Sequence, residues 1–490
     1  MSEMHDVIVV GAGPTGMLLA GDLAESGVDV LVLERRRDES NLTRAFAVHA
    51  RSLEVLDMRG CADELLTTGA QVRRLALFGR VRVDLGRLPG RFPFILITPQ
   101  YQTERVLQTR LDRLGVRVRH GAAVTGVDQD DAGATVTLDD GTTVRARYVV
   151  GADGSHSAVR RAIGQPFPGR AVLRSIMLAD VRLAEPPTDV LTVNGVREGF
   201  AFIAPFGDGY HRVFAWDRRR QVDDDVRLHL DEVRDITRRA MGTDFGMHDP
   251  RWLSRFHSDE RQVPRYRVGR VFLAGDAAHV HSPAGGQGMN VGLQDAANLG
   301  WKLAAVIRDR APETLLDSYH DERHPVAANV IRGSGGLIRL AMTKSRLGRG
   351  VRDVVAGAAL SIDPIARRIT GEVSGIGVRY PAPAGAASEV GTRMPDVALA
   401  DGSRLFEALR ARQHVLLTGR GAADSLPGAV SGALPAGTVM AVPAEPLPTP
   451  VLVRPDGYVA AIAGLETDAA RPPRPTAGRP PRPADSLSRR

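Results

Sequence analysis

Cysteine is almost absent from this chain. Cys61 is the only one in 490 residues, so neither an internal disulfide nor a cysteine-based zinc site can form. No run of eighteen or more apolar residues occurs, which excludes a transmembrane helix by composition. The first residues pass almost at once into DVIVVGAGPTG, without the basic start and small-residue cleavage site of a secretory signal. A cytoplasmic enzyme is the expectation. Charge is also scarce once it is located. The total is +7 with a pI near 10, which would suit a nucleic-acid partner. Yet RPPRPTAGRPPRPADSLSRR at 471–490 carries six Arg and one Asp, so residues 1–470 hold only about +2. From about 466 to 490 the chain reads as a disordered Pro/Arg tail. Nucleic acid and membrane are therefore not expected partners. The oligomeric state is not legible in the residues.

What is present indicates several packed units. The 43% hydrophobic content supports buried cores, and 490 residues are too many for one. Residues 7–10 (VIVV) and 28–34 (VDVLVLE) read as strands. Between them GMLLAGDLAESG has helical spacing and a closing Gly27, a βαβ pattern that implies a parallel sheet. Residues 101–114 form an amphipathic helical pattern. Alternating stretches follow at 116–127 and 134–150, with a turn at Asp139-Asp140-Gly141. Residues 171–264 change to strand-like pieces broken by Pro and Gly, with one helix expected at 223–241. That texture suits an antiparallel sheet inserted into the α/β unit. Residues 268–274 restore a buried strand, and a helix is expected at 288–308. YPAPAGAASEVG (380–391) reads as a linker, followed by a small αβ segment with a helix at 403–411 and a hairpin, VLVRPDGYVAAIAG.

Three motifs carry chemistry. Gly11-Ala-Gly13-Pro14-Thr15-Gly16 follows a strand and opens a helix, and Glu34 ends the next strand. Glycines here permit a tight turn, close approach of backbone to a pyrophosphate, and helix–strand packing; the acid would accept from an adenosine ribose. The second motif is GADGSHSAVR, with Asp153. Alone it reads equally as a plain strand–helix turn. The third is LAGDAAHVHSPAGGQGMN, with Gly275-Asp276 after a strand and a run of glycines before a helix. His279 and His281 have spacing that a metal could use, but no cysteine and no acidic cluster completes such a site, and no metal is expected.

The order and spacing of these motifs resemble the class A flavoprotein aromatic monooxygenases, the p-hydroxybenzoate hydroxylase group, over roughly residues 4–375. TRAFAVHARSLEVLDMRG, ITPQYQTE and the C-terminal αβ segment are most similar to the actinobacterial hydroxylases of aromatic polyketides. The resemblance implies an α/β chain with a Rossmann-like FAD fold of the GR2 type. It assigns 1–75, 101–170 and 265–375 to the FAD-binding domain and 76–100 with 171–264 to an inserted antiparallel-sheet substrate domain. Residues 390–465 become a thioredoxin-like domain, redox-inert for want of a CxxC. The implied cofactor contacts are Gly11, Gly13, Pro14, Thr15, Gly16, Glu34, Arg35, Arg44, Gln100, Val124, Asp153, Gly275, Asp276, Pro283, Gly286, Gly288, Met289 and Asn290. Asp276 would serve the ribityl and phosphate region, residues 283–290 the isoalloxazine, and Gln100 the flavin side chain. Arg51 joins Arg44 as a candidate to reach the cofactor region.

The resemblance also implies the chemistry. NADPH or NADH would reduce FAD and leave, O2 would add at flavin C4a, and the resulting hydroperoxide would transfer its distal OH to an electron-rich aromatic ring. No catalytic side chain is singled out, because the flavin performs the hard step. An apolar pocket must exclude water. FAFIAPF (200–206) and RFPFILI (91–97) are candidates for its wall, and equally for ordinary strand cores. Three alternatives remain: Baeyer–Villiger oxygenation of a polycyclic ketone, antibiotic-inactivating hydroxylation, and a non-catalytic FAD- or ligand-binding protein. A halogenase is disfavoured because no WxWxIP-like stretch occurs.

Overall fold

The VIVV run is buried along its whole length because its strand lies at the centre of a sheet. This is the pattern of a parallel strand covered on both faces. The structure, a computed structural model, describes residues 4–38, 45–77, 81–187, 192–196, 198–282, 286–341, 363–419 and 434–462. Arg44, Pro283 and the tail expected at 466–490 lie outside the described residues. In the first sheet the strands run in the order Arg267–Val268, Val271–Leu273, Thr143–Gly151, Met4–Val10, Val30–Glu34, Arg117–His120. Met4–Val10 pairs in parallel with both of its neighbours, and Thr143–Gly151 pairs in parallel with Val271–Leu273. The register sets Val10 opposite Gly151, and Gly151 opposite Leu273. Three loops separated by more than a hundred residues therefore leave the sheet side by side, at the carboxyl ends where ligands bind in such folds. An antiparallel meander, Val124–Gln129 with Ala134–Leu138, hangs from Thr143–Gly151.

The second sheet has eight strands, in the order His279–Val280, Met247–Gln262, Gly169–Leu183, His211–Asp217, Gly199–Pro205, Thr192–Val196, Arg74–Leu77, Val81–Asp84. Its strands alternate in direction except where Thr192–Val196 meets Arg74–Leu77 in parallel. One face packs on the helix Leu230–Met241, with Val233 and Ile236 against Met177, Ala179, Ile203, Val213 and Ala215. That helix begins at 230 rather than 223. A capping box sets the start: the His229 N–H donates to Glu232 Oε1 at 3.0 Å. The acidic run before it has no apolar stripe to bury.

RFPFILI is not in this sheet. Ile95–Ile97 pairs with Ala47–Val48 and Ala70–Val72 in a separate three-stranded sheet, and Phe92 and Phe94 are buried in the core. Long helices expected at 101–114 and 288–308 appear as Gln100–Arg113 and Gly288–Ile307. The C-terminal segment holds a four-stranded mixed sheet, Val439–Ala441, Val415–Leu417, Val451–Val453, Val459–Ile462. The helix expected at 403–411 is a short α-helix, Leu405–Ala408, followed by a 3-10 turn.

Buried ion pairs seat this segment on the rest of the chain. Arg454 donates to Glu322 at 2.8 and 2.9 Å, Arg393 Nε to Glu54 at 2.7 Å, and Arg404 Nη1 to Asp57 at 2.9 Å. Arg51 belongs to this seam. It was expected near the cofactor, but its helix Ala50–Asp57 turns it towards residues 454–458. Its Nη1 donates to Glu54 at 2.9 Å, its Nη2 to the Asp456 carbonyl at 2.5 Å, and its guanidinium lies over the Tyr458 ring. Among the described residues no helix is long and apolar enough to cross a membrane.

Candidate active site

The three motif loops interlock before any ligand is considered. Gly11, at φ +107°, makes the turn out of the first strand, and a Cβ there would stand 2.4 Å from the Ala152 carbonyl oxygen. Gly16 touches the same turn: a Cβ would lie 1.9 Å from Gly11 O. Thr15 packs against both Gly275 and Gly292, joining the first loop to the third. Arg160 Nη2 donates to Ser155 O at 2.7 Å and its Nη1 to Ala277 O at 3.0 Å, joining the second loop to the third.

Glu34 closes the first loop. The N–H of Ala12 donates to Oε2 at 2.7 Å and that of Arg36 to Oε1 at 2.9 Å. Burial pushes its carboxyl up, but these N–H groups and the Arg36 guanidinium outweigh burial and hold it below the usual range. Glu34 is therefore ionised and still has acceptor capacity. It lines a small depression with Arg36, Tyr101 and His120. Arg36 supplies the cation there, whereas Arg35, expected at the site, is exposed one residue earlier.

Beside these loops a cavity of about 650 Å³ lies between the two large sheets. Gly13, Pro14, Thr15, Gln100, Asp276, Gly286, Gly288 and Met289 all line it. The residues present fit a dinucleotide. A Cβ on Gly13 or Gly154 would meet nothing within 4 Å, so both leave room for a ligand. The helix Pro14–Glu25 starts beside it with no acidic residue in its first turn, leaving its positive end uncompensated.

Other candidates have different tasks. Asp153 Oδ2 accepts from the Ala158 and Val159 N–H groups at 2.6 and 3.2 Å and caps a short helix, while Oδ1 is buried without a partner. Asn290 is a clamp. Its Nδ2 donates to Ala47 O and Gly286 O at 2.9 and 2.8 Å, and its Oδ1 accepts from His49 N–H at 2.8 Å. Val124 pairs with Leu138 and lines neither cavity. A Cβ on Gly286 would point at Ala47, 3.1 Å away, so its turn serves loop packing.

The two histidines of the third motif separate in role. His279 Nε2 is 2.6 Å from Asp295 Oδ2, and Asp295 also accepts from Arg323 Nε at 2.7 Å and from the Gly275 N–H at 3.1 Å. Burial pushes Asp295 up, but Arg323 and His279 together hold it below the ordinary range. This buried set fixes the third loop on its helices. His281 lines the cavity, with Nδ1 donating to Ser282 O at 2.8 Å; burial lowers its pKa to about 4. Among the described residues no group of histidine, cysteine and carboxylate side chains could hold a metal.

The cavity wall is aromatic. Phe46, Phe214, Phe256 and Phe167 line it. Phe46 lies 5.4 Å from Phe214, and Phe256 meets Phe214 edge-on at 6.1 Å; Phe202 backs both Phe46 and Phe214. Of the apolar stretches expected at the wall, FAFIAPF contributes this backing layer and RFPFILI nothing. Phe214 and Phe256 were not singled out from sequence. The alternation in HRVFAWD was the available signal, but alternation does not say which face meets a cavity.

Known proteins share this architecture. Residues 4–334 match the FAD binding domain family, and residues 387–476 match the C-terminal domain of aromatic-ring hydroxylases. A rifampicin monooxygenase of Streptomyces venezuelae is 42% identical over 93% of this chain and 95% of its own. The solved structure of OxyS, the anhydrotetracycline hydroxylase of Streptomyces rimosus, superposes with a TM-score of 0.82 at 37% identity, covering 95% of this chain and 97% of that one. A dialkyldecalin synthase of Streptomyces rugosporus is 36% identical over 93% of this chain and 95% of its own. The glycine cradle, the aromatic-walled cavity and these matches over nearly the whole chain lead to one conclusion: the chain belongs to the FAD-dependent aromatic-ring hydroxylases and is a flavoprotein monooxygenase.

Proposed function

We propose that this monooxygenase hydroxylates a large, polycyclic, polyketide-like aromatic at the expense of NADPH or NADH. The observation that carries this reading is that Phe46, Phe214, Phe256 and Phe167 line the same cavity as residues 286–289. A wall of that extent suits a flat fused-ring substrate. Bound FAD would supply the redox chemistry and the activation of O2. The chain's own residues bind, orient and keep dry. Gly13 and the Pro14–Glu25 helix would receive the pyrophosphate, Glu34 the adenosine ribose, and Asp276 and Gln100 the ribityl and flavin portions. The helix Gly288–Ile307 has no acidic residue in its first turn, so its positive end favours the negative charge of a reduced ring. The phenylalanines exclude water, which would otherwise divert activated oxygen to hydrogen peroxide. Names of relatives such as rifampicin monooxygenase and anhydrotetracycline hydroxylase are in keeping with a polycyclic substrate.

The test uses purified protein. It should be yellow, and acid precipitation should release all of its FAD. Rifampicin, anhydrotetracycline and simpler naphthols should be screened for stimulated NADPH oxidation, with mass spectrometry for a product one oxygen heavier. The relative named as a dialkyldecalin synthase points to the contrary outcome. Conversion of a bound compound without NADPH or O2 consumption would replace oxygenation with a non-oxidative role for this fold.

A further inference from the structure

Tyr380 opens the stretch that reads in sequence as a linker, yet it is only 3% exposed. Its backbone N–H donates to Gly391 O at 2.8 Å, and the Gly391 N–H donates to Val459 O at 2.9 Å. Its ring stacks on that of Tyr458, with centroids 4.1 Å apart and planes at 29°. The Arg454 guanidinium lies over the same ring at 5.1 Å. Tyr380 is therefore anchored to the hairpin formed by Val451–Val453 and Val459–Ile462, and is not strung loosely between two units.

The Tyr380 hydroxyl oxygen accepts from Arg323 Nη1 at 3.3 Å. Arg323, on the helix Asp317–Ala341, is fully buried. Its Nε donates to Asp295 Oδ1 at 2.7 Å and its Nη2 to Val291 O at 3.2 Å. One guanidinium thus grips the helix Gly288–Ile307 at two points about one turn apart. The second oxygen of Asp295, Oδ2, accepts from the Gly275 N–H at 3.1 Å and lies 2.6 Å from His279 Nε2. Gly275 immediately precedes Asp276, which lines the cavity. An unbroken set of contacts leads from the C-terminal hairpin to the turn Gly275–Ala277. Compensating the charge of Asp295 would require only a cation beside it. A planar fork fixed by Tyr380 and Val291 as well has no freedom to rotate, so it also fixes the carboxylate that it faces.

We propose that Tyr380 and Arg323 are positioning residues for FAD. Through them and Asp295, the C-terminal segment holds the turn Gly275–Ala277 in the shape that receives the cofactor. The segment is then part of the FAD apparatus although it lies outside the FAD-binding family match at 4–334. This rests on the reading above that Asp276 serves the ribityl portion of FAD.

The test reads FAD affinity from free-flavin fluorescence as full-length holoenzyme is diluted, beside the melting temperature of the FAD-free protein. Tyr380→Phe keeps the stacked ring and removes only the acceptor for Arg323; it should weaken FAD about threefold. Arg323→Lys keeps the charge and loses the fork; it should weaken FAD about tenfold. Both act in one route, so the double variant should bind FAD no more weakly than Arg323→Lys alone. Arg404→Met is the control. It loosens the same segment at Asp57, away from Tyr380 and Arg323, and should lower the melting temperature with FAD affinity unchanged. A merely structural role gives the Arg323 and Tyr380 variants a lower melting temperature and wild-type affinity in the protein that stays folded. That result overturns the proposal, as do losses that multiply in the double variant or an equal loss of affinity in Arg404→Met. If Arg323→Lys does not fold, Tyr380→Phe decides against the same control. Asp276→Ala separates the two readings. Wild-type affinity there overturns the role of Asp276 and this proposal with it. Weakened FAD in Asp276→Ala beside wild-type affinity in the Tyr380 and Arg323 variants overturns this proposal alone.

Discussion

At the scale of single residues, two glycines of one motif do opposite things. Gly16 has no room for a side chain, because a Cβ would sit 1.9 Å from Gly11 O. Gly13 has open space, because it faces the cavity. Gly16→Ala should therefore destabilise the chain even without FAD. Gly13→Ala should leave the melting temperature of the FAD-free protein unchanged and weaken FAD at least tenfold. Thermal melts and fluorescence titration check both; equal FAD affinity in Gly13→Ala would remove the cradle. His281 gives a prediction in pH. Its ordinary pKa near 6.5 is lowered to about 4 by burial, so the unfolded chain takes up the proton first. The stability it contributes is complete above pH 6.5 and is lost as pH falls towards 4, on the order of 1–3 kcal/mol. His414, lowered to about 4 as well, shares the same window, so only a difference between proteins isolates His281. From pH 7 to pH 4.5 the urea midpoint of wild type should fall more than that of His281→Gln; parallel curves would refute it.

At the scale of elements, the loop before the helix Gly288–Ile307 is held from outside. Asn290 ties it to Ala47 and His49, and Gly286 turns at φ +62° with its Cβ direction aimed at Ala47. A β-branched residue in that conformation costs roughly 1–3 kcal/mol. The cheapest relief is movement of the loop towards the cavity. Gly286→Val should keep much of the fold yet lower the ratio of product formed to NADPH consumed, with hydrogen peroxide making up the difference. Coupling equal to wild type would show that this loop does not flank the reacting ring.

At the scale of the whole molecule, the C-terminal segment is seated by charge. Glu54, Asp57 and Glu322 are each buried or nearly so, and each finds an arginine from beyond residue 390. Removing one partner leaves an uncompensated buried charge, a larger loss than the pair itself contributes. Arg454→Met removes a guanidinium from Glu322 and Asp456 together, leaving Glu322 with Lys302 at 2.8 Å and Asn298 at 2.6 Å. It should cost about 2–4 kcal/mol in urea unfolding, because Lys302 still compensates Glu322 in part. A loss below about 1 kcal/mol would mean that the seam is not structural. Deleting residues 471–490, by contrast, should leave turnover and melting temperature unchanged, because a Pro/Arg stretch offers nothing to a core.

The sequence alone determined the family, the cofactor class and the parallel core. Those depend on local facts: glycines that tolerate no Cβ, an acid at a strand end, and unbroken apolar runs. It also placed the helices Gln100–Arg113 and Gly288–Ile307 to within a residue, because their stripes are periodic, but it did not single out Asp317–Ala341. It could not say that Arg51 faces the C-terminal segment, that Arg36 rather than Arg35 meets Glu34, or that RFPFILI leaves the substrate sheet. Nor could it find the phenylalanine wall. Each of these depends on which face of an element meets a distant one. Spacing along a chain encodes periodicity, whereas facing and register between chain segments are decided only when the sheets pack.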